Sequence, residues 1–170
     1  MLGIQPYESA PEELDLILEE LPFKHVIYDP KGDLKQAYHS ERDQYNSLGY
    51  VRDCDWIARH ESKIVLGVTG VDLYSGSLNF VFGTAQIGGR AGVISLYRLG
   101  EDEKLKERAF KEAVHEIGHI LGLEHCDDPN CVMHFSNSLA DTDRKTGWFC
   151  DECEEEFEKL SAERGVELDD

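Results

Sequence analysis

Residues 115–125 read His-Glu-Ile-Gly-His-Ile-Leu-Gly-Leu-Glu-His, and the run before them has its apolar residues at helical spacing. Leu105, Ala109, Phe110, Ala113, Val114, Ile117 and Leu121 gather on one face, which predicts a helix over 101–121. His115 and His119 then project within about 40° of each other and nearly opposite Ile117, because a helix advances about 100° per residue. H-E-x-x-H on a helix holds two imidazoles rigidly within reach of one metal ion. Glu116 projects to the side of the pair, where it reaches a metal-bound water without taking a coordination position: the geometry of a general base. Gly122 offers the left-handed turn that ends a helix, and so lets the chain bring back His125 as a third ligand. The full pattern is H-E-x-x-H-x-x-G-x-x-H, with a fourth position left open for water.

The short motif arises by chance, and His115 and His119 would also suit an ordinary polar helix face shared with Arg108, Lys111 and Glu112. Gly122 and His125 at the required spacing are far more restrictive. Met133 lies shortly downstream and is read as a core residue packed beneath the three imidazoles, a support for the metal and not a ligand.

Four of the five cysteines cluster near the C-terminus as C-x4-C and C-x2-C: Cys126, Cys131, Cys150 and Cys153. In a reducing compartment such pairs read first as a tetrahedral zinc site, and four thiolates leave no room for water, so this zinc is structural. Cys126 follows His125 directly, so the two sites share backbone. Cys54 stands alone and reads as a small buried residue.

The chain has 170 residues, the size of one ordinary domain, and no linker, repeat or low-complexity tract divides it. A single domain spanning 1–170 is expected. A formal net charge of −18 without a basic patch argues against nucleic-acid or anionic-membrane partners, which need Lys and Arg for phosphate contacts. The longest apolar runs fall short of a membrane span, and the first residues lack a basic region followed by an apolar stretch. The expectation is a soluble, cytoplasmic protein, monomeric, with a peptide or protein substrate.

Around the motif, residues 11–21 read as a helix and 23–28 as a short strand, while 31–50 reads mostly as loop. Residues 63–72, 78–82 and 92–97 read as strands, with Gly88-Gly89-Arg90-Ala91-Gly92 a turn and not a phosphate loop, since G-K-[ST] and a following helix are missing. A last helix is predicted over 151–164. Strands first and helices after suggest an α+β layer structure.

Taken together, HEIGHILGLEHC-x4-C-V-M-x16-C-x2-C over residues 115–153 resembles the archaemetzincins, a branch of the metzincin metalloproteases. Residues 42–45, 78–83, 94–96, 136–138 and 143–145 are also similar to that family, so the resemblance runs from about 40 to 157. The interval between Met133 and Cys150 is about one residue shorter than the family's usual one. The resemblance implies a compact domain in which a twisted mixed sheet packs on an active-site helix and a second long helix. It also implies an edge strand lining the cleft, for which 78–82 is the candidate, two zinc ions, and aminopeptidase or other peptidase activity. The competing reading is a zinc protein that binds peptides or a partner with weak or absent hydrolysis.

Overall fold

The computed structural model describes all residues except 12, 13, 15–17, 62 and 170. Its main sheet has the order β2-β1-β5-β8-β7, built from Leu2–Pro6 (β1), His25–Ile27 (β2), Ile64–Thr69 (β5), Gly83–Ala85 (β7) and Ala91–Ser95 (β8). All its pairings are parallel except β7 with β8 at the edge. A smaller sheet joins Tyr38–His39 (β3), Gln44–Asn46 (β4) and Leu73–Tyr74 (β6). The helices are Ser47–Glu61 (α1), Leu105–Leu121 (α2), Leu139–Arg144 (α3) and Asp151–Arg164 (α4).

Side chains alternate across a strand, and β5 uses both faces. Ile64, Leu66 and Val68 join Ile94 and the α2 residues Ala113, Ile117 and Ile120 in one core, while Val65 and Val93 join Tyr50, Cys54 and Ala58 of α1 in another. The sheet therefore lies between α1 and α2. Gly67 marks how closely α1 approaches, since a Cβ there would sit 2.8 Å from Cys54 Sγ. Cys54 is fully buried, as its isolation in the sequence suggested. Among the described residues, no helix is long and apolar enough to cross a membrane.

The α+β architecture, α2, α4 and the strands expected over 23–28, 63–72 and 92–97 are all present, the strands trimmed at their ends. The structure corrects the expectation elsewhere. The loop predicted to run to residue 50 gives way at Ser47 to α1, whose buried residues Ser47, Tyr50, Val51, Cys54, Ile57 and Ala58 do follow helical spacing. Leu2–Pro6 is an interior strand. Residues 78–82 form no strand of the main sheet; the edge strand is Gly83–Ala85. The reason is that the backbone of 78–81 is engaged elsewhere: Arg42 donates to Leu78 O (2.6 Å), Gln44 Nε2 to Asn79 O (2.8 Å), and Val81 N to Leu73 O (2.9 Å), so that the chain meets β8 only from Phe82 O, which accepts from Ser95 N (2.8 Å). Of the helix predicted over 11–21, residues 12, 13 and 15–17 lie outside the described residues; Leu14, Leu18 and Leu21 are buried in the α2-side core.

Candidate active site and cysteine centre

Helix α2 is buried on nearly every side, so the residues read as its polar face are not at the surface. Helix α3 and the chain after it cover that face. Arg108 pairs with Asp143 (2.7 Å) and Asp102 (3.0 Å), Lys111 with Glu107, and Glu112 with Lys145 (3.4 Å).

His115 and His119 are both buried, and each donates from Nδ1 to a backbone carbonyl: His115 to Val132 O and His119 to Leu123 O, both at 2.7 Å. A neutral imidazole with its proton on Nδ1 carries a lone pair on Nε2. The two Nε2 atoms lie 3.1 Å apart, so two lone pairs face each other. A cation drawn between them turns that repulsion into coordination. Zinc fits the spacing, because Zn–N bonds of about 2.0–2.1 Å in a tetrahedron place their nitrogens about 3.3 Å apart. Burial also keeps the rings neutral: it holds His115 well below the usual imidazole value and brings His119 down to about 4, with the Lys145 ammonium acting in the same direction.

The third ring arrives by the turn after α2. Gly122 has φ 129° and donates its N–H to Gly118 O and His119 O, ending the helix. Leu123, whose carbonyl orients His119, and exposed His125 follow at once. Donor atoms of His115, His119 and His125 all lie within 4.8 Å of one another. Phe135 packs its ring 5.2 Å from that of His125.

Glu116 is buried beside the imidazoles, and its Oε2 has no hydrogen-bond partner among the described residues. Burial, then the nearby Glu112 carboxylate, raise its pKa well above the usual glutamate value. Gly83, the first residue of β7, lies against it: a Cβ there would fall 2.5 Å from Glu116 Oε1. Sequence reading missed Gly83, Glu112 and Lys145 as parts of this site. Glu112 carried a usable signal, standing one helical turn before His115; Gly83 and Lys145 lie in the family-like stretches 78–83 and 143–145, but without the fold nothing gave either a role.

Met133 is fully buried beneath α2, where Gly118 leaves room for it: a Cβ on Gly118 would sit 2.5 Å from Met133 Sδ. The histidines, Glu116 and Phe135 line a cleft of about 380 Å³ whose other wall is apolar, with Leu78, Phe80, Phe82 and Ile87.

Cys126, Cys131, Cys150 and Cys153 converge as free thiols, their sulfurs all within 4.8 Å of one another. Cys126 Sγ and Cys150 Sγ are 3.8 Å apart, the separation that Zn–S bonds of about 2.3 Å produce in a tetrahedron. Backbone N–H groups point at two of the sulfurs: Asp128 N donates to Cys126 Sγ (3.4 Å) and Cys150 N to Cys131 Sγ (3.3 Å), although burial still pushes the Cys131 thiol up to about 11. The backbone N–H of Cys153 lowers the pKa of Cys150. The chemistry of both donor sets, three imidazoles and four thiols, suits two zinc ions.

Comparison with known proteins agrees. The model for Peptidase family M54 matches residues 35–159. The archaemetzincin of Archaeoglobus fulgidus is 44% identical over 156 residues, covering 88% of this chain and 94% of its own. Its crystal structure superposes with a TM-score of 0.82 at 41% identity, covering 91% of this chain and 98% of that one. The archaemetzincin structure from Methanopyrus kandleri gives a TM-score of 0.85 at 34% identity, covering 95% and 94%. With the family model and such relatives over most of its length, the chain belongs to Peptidase family M54, the archaemetzincins, and is a zinc-dependent peptidase.

Proposed function

We propose that this chain hydrolyses peptides in the cleft above α2, with Glu116 as the proton-transferring group and His115, His119 and His125 holding the catalytic zinc. The observation that supports the roles is the partnerless, buried Glu116 Oε2 beside three converged imidazoles. When bound, the zinc supplies a Lewis acid that polarises the substrate carbonyl and makes a water acidic enough to attack near neutral pH. Glu116 receives the attacking water's proton on its carboxylate and delivers it to the leaving nitrogen. Val132 O and Leu123 O hold the first two imidazoles in the tautomer that presents Nε2. Cys126, Cys131, Cys150 and Cys153 hold a structural zinc, and Met133 supports the histidine helix from below.

The apolar wall suits substrates with apolar side chains next to the cleaved bond. In this reading the chain is a single domain and works as a monomer in the cytoplasm, with no nucleic-acid partner, as its acidity favours. Cleavage from a free N-terminus is the finer expectation. The test is zinc content and turnover of internally quenched peptides, each offered with free and with blocked N-termini. Wild type should carry two zincs and cleave; Glu116→Gln should keep both zincs and lose turnover; His119→Ala should keep one. A purified Glu116→Gln protein cleaving at the wild-type rate would remove Glu116 from the mechanism. Equal cleavage of blocked and free peptides would remove the aminopeptidase expectation.

A further inference from the structure

Two side-chain oxygens among the cleft residues are buried without a hydrogen-bond partner among the described residues: Glu116 Oε2, which the mechanism uses, and Ser136 Oγ, which it does not. Several other serine hydroxyls among the described residues are engaged. Ser95 Oγ donates to Val71 O (2.5 Å), Ser161 Oγ to Glu158 O (3.0 Å), and Ser138 Oγ to Asp141 Oδ2 (3.0 Å). A buried hydroxyl left alone lowers stability; Tyr28 Oη and Asp55 Oδ1 are partnerless too but lie outside the cleft, whereas Ser136 lines it, where a bound peptide brings acceptors.

The segment carrying Ser136 is fixed on both sides. Before it, the Lys145 ammonium donates to His134 O (3.1 Å) and His134 Nδ1 donates to Cys126 O (2.7 Å). After it, the backbone N–H groups of Asn137 and Ser138 both donate to Asp141 Oδ2 at 3.0 Å. With the backbone held, the hydroxyl moves by one side-chain torsion among three staggered positions. Phe135, the preceding residue, packs against His125, which sets Ser136 beside the proposed metal ligands along the cleft.

We propose that Ser136 is a further catalytic residue: its hydroxyl donates a hydrogen bond to a main-chain carbonyl oxygen of the bound peptide and stabilises that oxygen as it gains charge. The inference rests on peptide hydrolysis at the histidine site. An extended peptide presents a carbonyl acceptor at every residue, and a fixed hydroxyl donor matches it whatever the side chains. A preorganised donor of this kind works mainly on turnover, because its bond strengthens in the transition state.

The experiment compares wild type, Ser136→Ala, Ser136→Thr and Glu116→Gln on the internally quenched peptide that wild type cleaves fastest, with zinc content and Tm for each. Ser136→Ala is expected to lower kcat/KM by about 10- to 100-fold, most of it in kcat, with both zincs retained. Its Tm should equal or exceed that of wild type, since a partnerless buried hydroxyl has been removed. Ser136→Thr keeps the hydroxyl and should recover most of the rate. Wild-type kcat/KM in Ser136→Ala, or a loss that comes with lower Tm or missing zinc, overturns the inference. A wild-type rate in Glu116→Gln counts instead against the parent mechanism, so the two failures are told apart.

Discussion

Replacing Lys145 by methionine should be among the most damaging single changes away from the metal ligands. The Lys145 side chain is 0% exposed and that of Glu112 4%, and their charges meet at 3.4 Å. Methionine fills a similar volume but leaves the Glu112 carboxylate buried with the Thr142 hydroxyl, at 3.2 Å, as its remaining hydrogen-bond donor among the described residues. Breaking a buried pair by removing one partner costs about 3–5 kcal/mol, because the remaining charge has lost both water and counter-ion. For a chain of this size each kcal/mol moves Tm by about 2–4 °C, so Lys145→Met should melt roughly 6–20 °C below wild type. Removing both charges together, as Lys145→Met with Glu112→Leu, should recover much of the loss, since a well-packed apolar pair replaces a buried ion pair at little cost. Calorimetry of the zinc-loaded proteins, paired with urea titrations, measures both effects. A single variant melting within about 2 °C of wild type, or a double variant no better than the single, would refute the account of this pair.

Gly83→Ala places a methyl 2.5 Å from Glu116 Oε1 and must displace that carboxylate; turnover should fall about 100-fold with both zincs retained, read from kcat beside metal content. Asp143 is held down to about 2, below its ordinary 3.8, chiefly by hydrogen bonds from Arg108. A depressed folded-state value stabilises the fold above the unfolded carboxylate value and stops doing so as pH falls through about 2. Wild-type stability should therefore drop between about pH 5 and 2 more steeply than that of Asp143→Asn, as urea titrations across that window would show. Cys150→Ser should lose one zinc and lower Tm by several degrees, and, because Cys126 adjoins His125, should also weaken retention of the second zinc during dialysis against a mild chelator.

The site was legible in the sequence because its spacing is local. His115, Glu116 and His119 are placed by helix periodicity alone, and Gly122 forces the turn that returns His125. The paired cysteines announced themselves by number and spacing, although their meeting across 126–153 depends on the chain doubling back. What escaped reading depends on partners far away in sequence. Leu2–Pro6 contains a glycine and ends in proline, a poor strand by composition, yet its neighbours β2 and β5 make it an interior strand. The α1 stripe from Tyr50 to Ala58 was periodic but interrupted by charged residues. Lys145 looks like any surface lysine until α3 folds it against Glu112. Residues 78–82 are apolar enough to read as a strand, and Arg42 and Gln44, about 35 positions earlier, take the carbonyls of Leu78 and Asn79.

The interior position of β1 also shapes how the molecule is made. Leu2 pairs with Ile64, so β1 waits for a neighbour 62 residues later in the chain. At about 5–20 residues per second, that interval is about 3–12 s on the ribosome. During it an apolar strand is without one of its two flanking partners, and the sheet on which both helices rest cannot close. Slower decoding between residues 6 and 64 lengthens the exposure and faster decoding shortens it, so the yield of folded enzyme should respond to codon choice in that stretch more than in the stretch encoding the histidine helix.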